Sequence, residues 1–346
     1  MAAKVGVKAK VPSNIALVKY WGKSDSQLQW PANDSLSMTL SEAYTETYAC
    51  LFDHCDHRMI LNNQEVQRVE HPKVFSHLDF LMKQYGVDDS AKLYIESENS
   101  FPTGCGIASS ASGFGALTLA AFGACAGYDE LLDLLGTADG RQDLAQWSRL
   151  GSGSAGRSIF GGYVKWSRGL SADEQVIEQA YAADHWVLAD TVALFSPEPK
   201  STSSTLGHQS AWSSPLFPVR LKGLPQRMAK LEAALRDRDI ELLGDVIEAD
   251  ALEMHSVMMS STPALKYFGT EVGQFLALIC DIRQNGKHSC YFTIDAGPNV
   301  HVLSTIEDAA GVRQILKEHY PGMDLLEDKT GHGPEVSKWE AVLRDG

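Results

Sequence analysis

Phe101-Pro-Thr-Gly-Cys-Gly-Ile-Ala-Ser-Ser-Ala111 sits between two runs of different period. Before it, Ala91 to Glu96 carries Leu93 and Ile95 on one face, as a strand does. After it, Phe114, Leu117, Ala121 and Ala124 keep helical spacing, and the Gly and Ala content around them suits a buried helix packed on a sheet. Strand, small-residue loop and buried helix together predict mixed α+β architecture. Small residues let a backbone approach a ligand, and successive N–H groups at a helix N-terminus can point at phosphate oxygens. Thr103, Gly104, Cys105, Gly106, Ser109 and Ser110 are therefore candidate phosphate-binding positions. A capped helix after a tight turn explains the same residues, so both readings stand on this segment alone. It holds no Walker lysine, so a P-loop NTPase is not indicated.

Downstream, Gly151-Ser-Gly-Ser-Ala-Gly-Arg-Ser158 satisfies G-x-G-x-x-G in form only. Leu144, Trp147 and Leu150 before it are spaced as a helix, whereas a dinucleotide fingerprint must follow a strand. A Rossmann oxidoreductase is disfavoured. Arg157 among Ser152, Ser154 and Ser158 is the useful content, because a guanidinium grips a carboxylate or phosphate bidentately while hydroxyls complete the shell.

Upstream, Pro12-Ser-Asn-Ile-Ala-Leu-Val-Lys-Tyr-Trp-Gly-Lys23 sets Asn14, Lys19, Tyr20 and Lys23 along and just beyond an apolar strand. A lysine at position 19 either snorkels to the surface or needs an anionic partner, since burying it alone is costly. Asp295 closes another strand, Tyr291 to Ile294, and opens Ala-Gly-Pro before Asn299 to Leu303, which predicts a tight reversal. Taken singly it reads as a turn residue.

The remaining patterns fill in the frame. His185 to Phe195 reads as a buried strand; Met228, Leu231 and Leu235 form one helical face, and Leu243, Ile247, Ala251 and Met254 another after Asp239. The Ser/Pro-rich stretch from Ser196 to Pro218 breaks both periods. It places a boundary between residues 1–190 and 191–346, as linker or functional loop.

With 346 residues and 44% hydrophobic content the chain can bury more than one core, which excludes disorder. No uninterrupted apolar run reaches the roughly 18 residues of a membrane span, and Met1 to Lys10 lacks a signal-peptide stretch, so a cytoplasmic protein is expected. Thirty basic against 44 acidic residues give −14, a field that repels nucleic acid. In such a chain a local gathering of Lys and Arg is informative. The six cysteines lack disulfide spacing, and Cys50, His54, Cys55 and His57 match no zinc motif, so no metal centre is expected.

These segments, in this order, resemble the GHMP small-molecule kinase superfamily, and within it the mevalonate diphosphate decarboxylases. The likeness runs through Asn14-Ile-Ala with Lys19-Tyr-Trp-Gly-Lys23, Asn33-Asp-Ser-Leu-Ser-Met-Thr-Leu40, Glu98 to Ala111, Gly151 to Ser158 with Gly161-Gly162, Lys200 to Gly207 and Asp295-Ala-Gly-Pro-Asn299. The resemblance implies an N-terminal half like ribosomal protein S5 domain 2, a ferredoxin-like C-terminal half, and a cleft between them. It further implies ATP and Mg²⁺, a phosphorylated mevalonate as substrate, and a homodimer. Asp295, Arg157 and Lys19 are then the catalytic set. Thr103 to Gly106, Ser109 and Ser110 hold the nucleotide, and Asn14, Tyr20, Lys23, Ser152, Ser154, Ser203 and Ser204 hold the substrate. The chain departs from the family pattern at Gly104-Cys105 (often Ala-Ala), Gly156 (commonly Cys), Thr205 (often Arg in bacterial relatives) and His208 (Met). The last two bear on the number of phosphates the substrate carries. The resemblance implies ATP-dependent decarboxylation of mevalonate 5-diphosphate to isopentenyl diphosphate, with a mevalonate 5-phosphate decarboxylase, a kinase stopping at the 3-phosphate and a non-catalytic relative as alternatives.

Overall fold

The computed structural model describes residues 4–87, 91–101, 109–195, 204–267 and 269–341. It begins with β1 (Lys4–Val18), a short hairpin of β2 (Lys23–Asp25) and β3 (Trp30–Pro31), and β4 (Ser35–Asp53). A second ribbon, β5 (Arg58–Leu61) and β6 (Gln64–Val66), leads to α1 (Pro72–Gln84) and β7 (Ala91–Asn99). Three helices follow, α2 (Ser109–Ala126), α3 (Tyr128–Gly136) and α4 (Ala138–Gly151), then a 3₁₀ turn at Gly153–Ile159, β8 (Tyr163–Ser167) and β9 (Val176–Tyr181).

Strands β1, β4, β7, β5 and β6 lie side by side, with β8 and β9 branching from β4. α2 crosses one face of this sheet. It is long and apolar enough to cross a membrane by length and composition, yet two thirds of it is buried against protein. Gly115 and Gly123 make its close approach possible: a Cβ at either would stand 2.9 or 2.7 Å from Val11 or Val7 of β1. Each such glycine costs a helix about 1 kcal/mol. Burial of Leu117, Leu119 and Phe122, at about 1.5–3 kcal/mol each, outweighs that cost. Ser109 and Ser110 form its first turn, so the helix starts earlier than a cap at these serines would place it.

The C-terminal half runs β10 (Leu188–Leu194), α5 (Ser204–Ser210), α6 (Phe217–Asp237), α7 (Ile240–Met259), α8 (Thr270–Gln284), β11 (Cys290–Ile294), β12 (Val300–Thr305), α9 (Ile306–His319) and β13 (Asp324–Lys329). Its sheet order, β11-β12-β10-β13, is the antiparallel arrangement of a split β-α-β-β-α-β unit, the ferredoxin-like half anticipated. Leu188, Val192, Tyr291 and Leu303 of this sheet share a core with Met228, Leu231 and Leu235 of α6 and Leu243 and Ile247 of α7. Asp239 caps α7 by accepting from the N–H groups of Glu241 and Leu242. The expected reversal between β11 and β12 is present, with Ile294 opposite Val300.

Three features differ from the sequence reading. The strand predicted from His185 begins at Leu188, because residues 182–187 turn and His185 Nε2 pairs with the Leu235 carbonyl at 2.8 Å. The stretch read as interrupting both periods holds α5, a 3₁₀ turn at Ala211–Ser213 and the start of α6. Tertiary contact stabilises α5: Gly207 lies so close to Trp21 that a Cβ would stand 2.5 Å from its ring. Finally, β14 (Glu335–Ala341) leaves the C-terminal half and pairs antiparallel with β1, from Lys4 opposite Ala341 to Lys10 opposite Glu335.

The Cys/His cluster does not gather. Cys50 is buried among Phe52, Ile60 and Tyr94, Cys55 is exposed, and His57 pairs with Asp79 at 3.2 Å. Among the described residues no three metal-ligating side chains converge.

Candidate active site

β1 ends at the junction of the two halves, and Lys19, the next residue, is almost wholly buried. Its ammonium donates to Asp295 Oδ1 at 2.7 Å across 276 residues of sequence. Asp295 directly follows β11, in a reversal closed by the Gly297 N–H to the Asp295 carbonyl at 2.8 Å. The costly buried lysine and the turn aspartate of the sequence thus explain each other.

Arg157, in the 3₁₀ turn, is 2% exposed. It donates from Nη1 to Ser35 Oγ at 2.7 Å, from Nε to Ser37 Oγ at 3.1 Å, and from Nε and Nη2 to Asn14 Oδ1 at 3.4 Å. The Asn14 amide is oriented in turn by Ser158 Oγ, to which Nδ2 donates at 2.8 Å. Every one of these partners is neutral, and among the described residues Arg157 has no ion pair. Burial therefore lowers its pKa to about 10, opposed by Asp295. A desolvated guanidinium with only neutral partners is poised for an anion that brings the missing charge.

Asn14, Lys19, Tyr20, Lys23, Ser110, Ser152, Ser154, Arg157 and Asp295 line one cleft. The Ser152 hydroxyl lies 3.3 Å from those of Ser110 and Ser154, which brings the C-terminus of α4 against the first turn of α2. Gly153 is needed at that junction, since a Cβ would meet the Tyr20 ring at 2.7 Å. The Tyr20 hydroxyl has no partner among the described residues, and burial pushes its pKa up, keeping it a neutral donor. Ser109 lies beside the cleft without lining it, and Ser204 opens α5. Thr103, Gly104, Cys105, Gly106 and Ser203 lie outside the described residues.

Other lining residues were not among the site residues expected from the sequence, where Met254 reads as part of an apolar helical face and Trp21 only as a member of the N-terminal motif. Lys73, at the start of α1, Gln29, Trp21 and Met254 all reach the cleft. So does His208 of α5, noted in the sequence only as a departure from the family pattern. Its ring lies between Tyr20 and Trp21, at 4.4 and 4.6 Å, and Nδ1 accepts the Gly22 N–H at 3.0 Å. Burial, then Lys23, Lys73 and Arg157, hold its pKa well below the usual value, so the ring is neutral with its proton on Nε2.

Four cations, Lys19, Lys23, Lys73 and Arg157, face the single carboxylate of Asp295 among the lining residues. In a chain of charge −14 this is a site for polyanions. The α2 N-terminus and the Ser110 and Ser152 hydroxyls fit nucleotide phosphates. With one carboxylate in reach, the residues suit a magnesium ion carried by those phosphates better than a resident one.

The two layered halves closing on a cationic cleft beside a small-residue helix N-terminus have the GHMP kinase fold. Residues 11–177 match the model of the diphosphomevalonate decarboxylase-like N-terminal domain, and residues 191–342 that of the mevalonate 5-diphosphate decarboxylase C-terminal domain. The chain belongs to the diphosphomevalonate decarboxylase family. It is 32% identical to diphosphomevalonate decarboxylase of Homo sapiens, over 87% of this chain and 77% of that one. It is 31% identical to that of Ganoderma lucidum, over 93% and 84%. Among solved structures, mevalonate diphosphate decarboxylase from Enterococcus faecalis superimposes with a TM-score of 0.86 at 33% identity, covering 98% of this chain and 100% of that one. A structure of MDDEF in complex with MVAPP, AMPPCP and magnesium superimposes with a TM-score of 0.87, again at 33% identity and with the same coverage.

Proposed function

We propose that the cleft uses ATP to phosphorylate the tertiary 3-hydroxyl of mevalonate 5-diphosphate and then fragments the product to isopentenyl diphosphate, phosphate and carbon dioxide. The observation that carries this reading is the Lys19–Asp295 pair beside a buried Arg157 that has no ion pair among the described residues. A tertiary alcohol leaves poorly, and phosphorylation makes it a good leaving group. Asp295 orients the hydroxyl and takes its proton as oxygen attacks the γ-phosphorus and ADP departs. Lys19 neutralises the oxygens of the transferring group. The C3–O bond then breaks with its electrons going to phosphate, which takes the proton back from Asp295, so that the positive character left at C3 faces an ionised carboxylate. Arg157 holds the substrate carboxylate so that the C–C bond to it aligns with C3, and that bond's electrons become the new double bond as carbon dioxide leaves.

Bound with the nucleotide, Mg²⁺ supplies charge screening of the phosphate oxygens. Thr103, Gly104, Cys105, Gly106, Ser109 and Ser110 hold the nucleotide side. Asn14, Tyr20, Lys23, Ser152, Ser154, Ser203 and Ser204 hold the substrate side, in a cytoplasmic homodimer as the family resemblance implies.

Offering mevalonate, its 5-phosphate and its 5-diphosphate separately with Mg-ATP, while measuring ADP and carbon dioxide together, tests the reading. Both products from the 5-diphosphate alone are expected. ADP without gas would mean a 3-kinase, gas mainly from the 5-phosphate a monophosphate decarboxylase, and neither product a non-catalytic relative.

Lys23 adds a pH signature. Burial, then Lys73, lowers its pKa to about 8, so it loses its charge as pH rises through that value. If the charged form grips the substrate, KM for the diphosphate rises about tenfold by pH 9, where about a tenth of the molecules remain protonated. Lys23→Arg should flatten that rise, and an unchanged pH profile in the arginine variant would remove Lys23 from substrate binding.

A further inference from the structure

Lys19 stands one residue beyond the end of a sheet ladder whose last pair is Val18 with Leu36. Both backbone polar groups of residue 19 therefore need partners from elsewhere. Its N–H donates to Asp250 Oδ2 at 2.7 Å, and its carbonyl accepts from Asn33 Nδ2 at 3.0 Å and from Arg220 Nη2 at 3.4 Å. Asp250 of α7 and Arg220 of α6 are both wholly buried, and they come from the opposite half of the molecule. Arg220 Nη2 also donates to Asp250 Oδ2 at 3.1 Å, and Arg220 Nη1 to Glu253 at 3.0 Å. Arg227 completes the set, donating to Asp250 Oδ1 at 3.1 Å and to Glu253.

From this geometry we infer that Asp250 and Arg220 are positioning residues that hold the backbone of Lys19 so that its ammonium meets Asp295. Ion pairs are a poor way to stabilise a helix–helix contact, because apolar side chains of similar volume do it at least as well. What apolar side chains cannot do is accept the Lys19 N–H and donate to its carbonyl. The pair thus does for residue 19 what a neighbouring strand does for residue 18. The same half of the molecule supplies Asp295, so docking of α6 and α7 on the end of β1 sets both members of the Lys19–Asp295 pair together. A displacement of about 1 Å at a reacting centre costs on the order of 100-fold in rate, and residue 19 has no sheet ladder to resist one.

The proposal rests on placing Lys19 in the reaction, and a double-mutant cycle separates the two claims. Lys19→Met alone must slow single-turnover formation of ADP; a fully active Lys19→Met protein would refute the catalytic placement itself. Given that slowing, Asp250→Ala in the wild-type background should lower kcat about 10- to 100-fold, with KM for ATP and for mevalonate 5-diphosphate within about threefold. In the Lys19→Met background the same change should cost less than about threefold, because the group it positions is gone. Equal losses in both backgrounds, the mark of a merely structural role, would overturn the positioning claim and leave Lys19 in place. Should Asp250→Ala fail to fold, Arg220→Lys keeps a cation beside Asp250 but shortens the reach to the Lys19 carbonyl. It should lower kcat about tenfold in the wild-type background alone, and an equal drop in the Lys19→Met background would again reject the inference.

Discussion

Asp295→Asn should bind ATP within about threefold of the unmodified protein and turn over at least about 1,000-fold more slowly. Asparagine has the same shape, and its Oδ1 can still accept from the Lys19 ammonium that donates to Asp295 at 2.7 Å. The cleft should therefore stay folded and closed. What is lost is the proton acceptor and the negative charge that faces C3 as phosphate departs. General-base assistance is worth about 100- to 10,000-fold, and the lost charge acts on the same transition state. A 1,000-fold loss corresponds to about 4 kcal/mol of barrier. Nucleotide affinity should hold, since an ammonium without its counter-ion attracts phosphates no less. Titration with a fluorescent ATP analogue and a coupled ADP assay read the two quantities separately. Turnover within about tenfold of normal would remove Asp295 from the chemistry.

How much of this site the sequence discloses depends on whether a residue's neighbours in space are also its neighbours in the chain. Asn14, Lys19, Tyr20 and Lys23 share one strand and its exit, and Ser152, Ser154 and Arg157 share one turn, so their spacing carries the signal. Lys73 sits in the first turn of a helix whose sequence gives it no mark beyond that of an ordinary solvated lysine, although it lines the cleft. His208 belongs to a short helix stabilised by contact with Trp21, and the Ser/Pro-rich composition around it hides the helix entirely. Asp250 and Arg220 lie among the apolar positions of α6 and α7, where pattern alone reads them as surface residues next to a core stripe. Non-local pairing of β14 with β1 is hidden for the same reason. Hydrophobic period and turn chemistry reveal elements, but a docking partner more than 200 residues away leaves no local mark.

The second large effect belongs to Arg157→Ala. Its guanidinium is fully desolvated and satisfied by two hydroxyls and one amide, with no negative charge among its described partners. A carboxylate bound there gains charge-assisted hydrogen bonds of about 1.5–3 kcal/mol each without displacing a protein counter-ion. Two such bonds lost from the transition state correspond to roughly 100- to 10,000-fold in kcat/KM. If the substrate carboxylate is what Arg157 holds, that loss should fall on mevalonate 5-diphosphate, with ATP affinity changed by less than about threefold. Arg157→Lys should restore little of it, because one ammonium cannot span Ser35, Ser37 and Asn14 while presenting a fork to the ligand. Folding should tolerate the alanine variant, since removing the cation also removes a buried charge whose desolvation brings its pKa down to about 10. Equal losses in nucleotide and substrate affinity would instead place Arg157 at the phosphates, and the carbon dioxide-releasing step would need another residue to orient its carboxylate.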